Sequence, residues 1–269
     1  MARIAVFDSG VGGLSVLSAL QQHAANHSQS HEWIFCSDNA FFPYGTRHPD
    51  TLIVRVLRVV QALDHHCHPD IIVIACNTAS TIALQALREH LLTPVVGVVP
   101  AIKPAAAVST TRVIGLLATP ATVQRAYTND LIKQFAPDCT VVRVGSSELV
   151  QLAEQYLRTG AINTEALQQA LLPLHTAATQ QGLDTVVLAC THFPLLQEAL
   201  RQHLPTVKHW IDSGEAIARR VDWCLQQQPV ATSSTEGHQA LFTLDEPSIQ
   251  ALKPALERHQ LNRLSILAV

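Results

Sequence analysis

The sequence predicts an α/β fold, with two similar α/β domains built on mostly parallel sheets and related by a pseudo-twofold. Three observations carry this. First, short apolar segments rich in β-branched residues alternate with longer helical patterns. Strands of that kind belong in parallel sheets covered on both faces, and strand–helix alternation marks α/β architecture. Second, the 269 residues are 48% hydrophobic and only 14% charged, below the usual quarter, so much of the chain is expected to be buried. Third, the chain resembles itself. Residues 72–78, Ile-Val-Ile-Ala-Cys-Asn-Thr, parallel residues 186–192, Val-Val-Leu-Ala-Cys-Thr-His, offset by 114; residues 4–9 parallel 114–119, offset by 110.

Strands are expected at 4–7, 33–36, 71–75, 95–98, 113–117, 140–144, 185–189 and 207–211. Helices are expected at 14–25, 49–66, 79–90, 120–135, 148–157, 164–181, 195–203 and 215–226. Pro49 and Pro120 suit a first helical turn. Residues 226–239 are polar and read as an exposed loop, followed by a last strand, helix and strand. Ligands of such sheets bind beyond the carboxyl ends of the strands. The active site is therefore expected in the interdomain cleft, with one strand-end cysteine from each half.

Composition excludes several functions. Eighteen basic against twenty-one acidic residues give a net charge of −3, which offers no broad footprint for nucleic acid or an anionic membrane. No segment approaches the roughly 18 apolar residues of a membrane helix. The apolar run at 4–7 is too short for a signal peptide. A cytoplasmic location is expected, where thiols stay reduced. Cys36, Cys67, Cys76, Cys139, Cys190 and Cys224 contain no CxxC pair, so neither a disulfide framework nor a zinc knuckle is expected. The run His65-His66-Cys67-His68 lacks the i, i+4 spacing of a helical metal site, and no metal is expected. The four lysines, Lys103, Lys133, Lys208 and Lys253, avoid glycine-rich and strand-end motifs. A pyridoxal Schiff base has no obvious seat, and chemistry without a cofactor is the simpler reading.

Cys76 and Cys190 each follow a buried strand and precede a helix, whose N-terminal amides and positive partial charge favour thiolate. His192, two residues past Cys190, permits a thiol–imidazole pair, as in a cysteine hydrolase. Two symmetric thiols suggest a different chemistry. One thiolate can remove a proton from one face of a small molecule, while the other thiol returns a proton to the opposite face. Asp8-Ser9-Gly10 with Gly12-Gly13 forms a turn after the first strand. Ser15 breaks the GxGxxG pattern, and no Gly-Lys-Ser/Thr occurs, so the turn is left to offer amides and a hydroxyl to a small anion. Asp8 is suited to an ammonium group or to tuning a cysteine. Pro43-Tyr44-Gly45-Thr46 and the pair Thr119 and Thr122 are further sources of hydroxyls and amides for a carboxylate.

Taken together, residues 8–14, Pro43-Tyr44-Gly45, residues 75–79 and Ala189-Cys190-Thr191-His192-Phe193-Pro194-Leu195-Leu196 resemble bacterial glutamate racemases. The motifs span nearly the whole chain in the family's order. The resemblance implies cofactor-independent interconversion of L- and D-glutamate, supplying D-glutamate for peptidoglycan, with the site between two domains. The expected division is 1–97 plus 208–269 and 98–207. It also implies that Cys76 acts on the D-enantiomer and Cys190 on the L-enantiomer, assisted by Asp8 and His192, with Glu154 as a further acidic group near the second thiol. Asp8, Ser9, Pro43, Tyr44, Gly45, Asn77, Thr78, Thr119, Thr122, Thr191 and His192 are implied as substrate contacts. Residues 117–122 depart from the family's usual glycine-containing turn. The first strand begins almost at Met1, so an activator bound through an N-terminal extension is not expected. The partner expected is small-molecule glutamate, and the oligomer expected is a homodimer. The alternatives are a racemase of aspartate or another small acid, a two-lobed binding protein, and the hydrolase.

Overall fold

The structure, a computed structural model, describes residues 1–227 and 237–269. The chain divides into two compact units, Met1–Val98 with Gly214–Val269, and Val99–Ser213.

The first unit begins β1 (Arg3–Asp8), α1 (Leu14–Asn26), β2 (Glu32–Ser37), α2 (Pro49–Cys67), β3 (Ile71–Ile74), α3 (Asn77–His90), β4 (Val95–Gly97). The second unit continues with α4 (Ile102–Val108), β5 (Val113–Ala118), α5 (Pro120–Gln124), α6 (Ala126–Phe135), β6 (Thr140–Gly145), α7 (Glu148–Thr159), α8 (Thr164–Gln180), β7 (Thr185–Ala189), α9 (Gln197–His203), β8 (His209–Ile211). The chain then returns to the first unit as α10 (Gly214–Gln226), β9 (Gln239–Phe242), α11 (Lys253–Arg258) and β10 (Arg263–Ile266).

The first unit carries the sheet β10-β9-β2-β1-β3-β4 and the second β6-β5-β7-β8, and every neighbouring pair is parallel. The order β2-β1-β3-β4 is repeated as β6-β5-β7-β8. The repeat seen in the sequence therefore places Cys76 after β3 and Cys190 after β7, at corresponding ends of corresponding strands.

The all-apolar strand segments follow from their position. β1, β3 and β7 are central and buried, whereas β6 and β10 are half-exposed edges. Ala5, Phe7, Ile34, Ile72 and Ile74 pack with Leu52, Val56, Val60, Ala83 and Leu87 from α2 and α3 to form the first core. Ile114, Leu116, Val187 and Ala189 pack with Ile102 and Ala105 in the second. Each large aliphatic side chain fully buried in this way contributes about 1.5–3 kcal/mol.

The structure differs from expectation in several places. The helix expected at 120–135 is two helices, because Arg125 is extended (φ −65°, ψ 143°) and the Thr122 carbonyl accepts the Thr128 hydroxyl at 2.7 Å. Helix α4, with Pro104 inside seven residues, has no periodic signature long enough to read. The second unit runs to Ser213 rather than 207, because β8 pairs with β7 (Thr185↔His209). Residues 228–236 of the expected loop lie outside the described residues.

Asp184, at the start of β7 and buried, anchors the end of that strand away from Cys190. Its carboxylate accepts from Ser109 Oγ at 2.7 Å, Thr110 N at 2.8 Å and Oγ1 at 2.9 Å, Thr111 N at 3.0 Å and Thr185 Oγ1 at 2.9 Å. Burial alone would raise its pKa, but these donors hold it far below the ordinary carboxylate value. A depressed carboxylate contributes stability that is present above the unfolded value, near 3.8, and lost as pH falls through the folded one. Asp184→Asn is expected to cost about 3 kcal/mol, since an amide cannot accept so many donors. It should also flatten the acid limb of unfolding between roughly pH 4 and 2, as read by denaturant titration at several pH values.

Candidate active site

In the first unit, two strand ends build the site. β1 delivers Asp8, followed by Ser9, and β3 leads through Ala75 to Cys76. Phe7 pairs with Ile74 across the two strands, which sets Ser9 beside Cys76, with Oγ and Sγ 3.7 Å apart. Asp8 Oδ1 accepts from the Ser9 amide at 2.6 Å and lies 3.4 Å from its hydroxyl. Ser9 thus stands between a carboxylate that is 0% exposed and the thiol. Gly13 is required by this packing. A Cβ there would lie 2.8 Å from Asp8 Cβ and 3.1 Å from the Phe35 ring.

Cys76 is also the N-cap residue of α3, and its own carbonyl starts the helix by accepting from Ser80 N at 2.8 Å. The thiol therefore sits in the positive end of a fourteen-residue dipole. Asn77 and Thr78 form the first turn and are buried. Asn77 Oδ1 is buried with no hydrogen-bond partner among the described residues, leaving an acceptor for a donor such as an ammonium group.

Tyr44 follows Pro43 in a short 3-10 turn, Tyr44–Thr46, that also holds Gly45. Its phenol is buried and donates to Asp38 Oδ2 at 2.6 Å. Burial and the Asp38 charge push its pKa well up, so it stays a donor to that carboxylate. The Tyr44 hydroxyl is therefore committed to Asp38. Asp38 is a residue that sequence reasoning missed. It takes a fork from Arg55 at 2.9 and 2.6 Å and the Thr243 hydroxyl at 2.6 Å. It thereby ties the Pro43-Tyr44-Gly45 loop to α2 and to the residue after β9. An acidic residue directly after β2 was the available signal.

In the second unit, Ala118 pairs with Ala189, so Thr119 and Cys190 occupy the positions that Ser9 and Cys76 occupy in the first. Thr119 N-caps α5: its Oγ1 accepts from Thr122 N at 3.3 Å and lies 3.0 Å from the Thr122 hydroxyl. Thr122 is fully buried.

The segment after Cys190 differs from expectation. The chain turns through Thr191 and His192 into a 3-10 segment, Phe193–Leu196, before α9 begins. Among the described residues a 3-10 turn, not a long helix, directly follows this thiol, and His192 is the positive group beside it. His192 Nδ1 lies 3.8 Å from Cys190 Sγ, and its Nε2 lies 2.8 Å from Glu154 Oε1. All three side chains are buried. Burial opposes a charged imidazole, yet the contacts with Cys190 and Glu154 prevail and raise His192 well above its ordinary pKa. An imidazolium at this distance stabilises negative charge on sulfur. Glu154 comes from α7, whose buried face also carries Leu149, Leu152 and Ala153.

The remaining polar clusters lead elsewhere. The His65 and His68 rings lie 6.0 Å apart, while Cys67 faces Gln239. Among the described residues, no three His, Cys, Asp or Glu side chains converge as metal ligands, and no helix is long and apolar enough to cross a membrane.

The profile described as Asp/Glu/Hydantoin racemase matches residues 4–221. The glutamate racemase of Pasteurella multocida is 49% identical over 233 residues, covering 87% of this chain and 84% of that protein. The Escherichia coli glutamate racemase, crystallised with L-glutamate and the activator UDP-MurNAc-ala, superposes with a TM-score of 0.94 at 42% identity, covering 100% of this chain and 98% of that one. Glutamate racemase isoform RacE1 of Bacillus anthracis gives 0.79 at 29% identity over 100% and 97%.

Proposed function

The chain belongs to the Asp/Glu/hydantoin racemase family, and from that premise we propose that it racemises glutamate with two cysteines as the proton-transfer groups. The observation that carries the reading is the equivalence of Cys76 and Cys190, each set at the carboxyl end of the corresponding strand in two sheets of the same order.

With L-glutamate, the Cys190 thiolate takes the α-proton as the C–H bond breaks, leaving its electron pair on the carbon and carboxylate. The Cys76 thiol then gives its proton to the opposite face and becomes thiolate, and the D-enantiomer leaves. The reverse reaction exchanges the roles. Each thiol resets by proton exchange with water. A thiol suits both roles because its ordinary pKa, near 8.5, lies close to neutral pH.

The carbanion-like state needs preorganised donors. The α3 N-terminus, the Ser9 hydroxyl and the Thr78 and Thr191 hydroxyls are the groups proposed to supply them. Asn77 Oδ1 and Asp8 receive the ammonium group, and the Pro43-Tyr44-Gly45 backbone and Thr119 and Thr122 complete the contacts. His192 and Asp8 assist the two thiols, and Glu154 holds His192. Both proton transfers are performed by side chains of the chain itself, so no cofactor is called for. The D-glutamate is destined for peptidoglycan, in the cytosol where both thiols remain reduced.

Circular dichroism with L-glutamate and L-aspartate side by side tests the substrate. Loss of optical activity is expected with glutamate only, and turnover of aspartate alone would overturn the choice. Gly13→Ala, which drives a methyl against Asp8 Cβ, is expected to reduce kcat/KM by roughly tenfold to a hundredfold, the scale of a misplacement near 1 Å. Wild-type rates in this variant would remove Asp8 from the site.

A further inference from the structure

We propose that Arg158, on α7, is a positioning residue for the Cys190 half-reaction, acting through Glu154 and His192. The proposal rests on the racemase reading of the site.

Glu154 has two carboxylate oxygens with separate tasks. Oε1 takes His192 Nε2 at 2.8 Å, while Oε2 takes Arg158 Nη1. The same guanidinium donates to the Glu154 carbonyl at 2.9 Å, so Arg158 grips both the backbone and the side chain of the residue one turn before it. Helix α7 ends one residue later at Thr159 and is capped by Gly160, in the left-handed region at φ +72°. A cation in the last turn is favoured by the helix dipole, which holds Arg158 where it is needed. From Cys190 the groups then run thiol sulfur, imidazole, carboxylate, guanidinium, each in contact with the next.

Burial makes the fourth member necessary. Glu154 is 6% exposed, and an ionised carboxylate in that setting is stable only when paired and hydrogen-bonded. With Arg158 in place, Oε2 is satisfied and the carboxylate cannot turn, so Oε1 stays on His192 and the imidazole stays 3.8 Å from sulfur. Without it, Oε2 loses its charged partner, and the hold of Oε1 on His192 weakens. The first unit has a helix N-terminus at its thiol instead, so Arg158 should act on one thiol only.

That asymmetry supplies the test. R158Q and R158K are assayed in both directions with α-protiated and α-deuterated L- and D-glutamate. Because the enantiomers have equal free energy, kcat/KM must fall by one factor in both directions. For R158Q a fall of roughly tenfold to a hundredfold is expected, part of what a removed acid–base group costs, with KM nearly unchanged. The deuterium effect on kcat/KM should rise with L-glutamate, whose proton goes to Cys190, and fall toward one with D-glutamate, whose proton goes to Cys76. General loosening would move both effects together. R158K keeps the charge and one hydrogen bond, and should recover most of the rate while retaining a weaker form of the same asymmetry. If R158Q does not fold, that asymmetry in R158K decides the matter alone. Wild-type rates in R158Q, isotope effects that move together, or R158K without asymmetry in the absence of folded R158Q would overturn the proposal. A wild-type protein that fails to racemise glutamate would instead overturn the reading on which it rests.

Discussion

Cys76→Ser and Cys190→Ser are each expected to lower kcat for racemisation about 10³-fold, within the 10²–10⁴ range for a removed proton-transfer group and equivalent to about 4 kcal/mol of barrier. A hydroxyl preserves the shape but is too weak an acid to be ionised near neutral pH. The loss falls in both directions, because every turnover uses both thiols. It does not fall equally on partial reactions. Cys76→Ser retains Cys190 with its His192 partner at 3.8 Å, so it should still wash solvent deuterium into L-glutamate without inverting it. Cys190→Ser retains the thiol at the α3 N-terminus and should do the same for D-glutamate. The double variant should be little slower than either single one, since groups that act as a unit are not additive. NMR of the α-proton reads all four outcomes.

His192→Asn is expected to cost about 10²-fold in kcat/KM. The imidazole is the positive group set against Cys190, because the segment after that thiol is a 3-10 turn rather than a long helix. Its raised pKa means that His192 is charged at neutral pH, and activity supported by that charge is lost as pH rises through the folded-state value. His192→Asn should lack this alkaline limb. Stability carries the same sign. A histidine whose folded pKa lies above its unfolded value of about 6.5 contributes fully below that pH, and the contribution disappears as pH climbs through the folded value. The difference in Tm between wild type and His192→Asn should therefore be largest below about pH 6.5 and shrink as pH climbs above it.

Much of the site was legible because strand ends announce themselves. Ile72–Ala75 and Val186–Ala189 are apolar runs that stop at a cysteine, and their repetition already implied matching positions in two sheets. Side-chain partnerships across the fold were less so. Arg55 reaches Asp38 from α2, and Thr243 reaches it because β2 pairs with β9, which no local pattern predicts. The different environments of the two thiols were hidden for a related reason. Cys76 and Cys190 both precede helical sequence, but Pro194 and the short Phe193–Leu196 turn replace the long helix on one side. The i, i+4 spacing of Glu154 and Arg158 was visible, but it signifies a surface ion pair unless the burial of Glu154 is known.

The central claim is that two different thiols serve the two faces of one carbon, and the fate of the α-proton tests it most directly. In D₂O, at low conversion, L-glutamate should yield D-glutamate that carries α-deuterium, while the remaining L-glutamate keeps its proton, and D-glutamate should behave as the mirror image. The incoming proton then comes from a group that equilibrated with solvent and not from the one that removed the old. D-glutamate that retains the original α-proton would contradict the account, because a single base would then be carrying it from face to face.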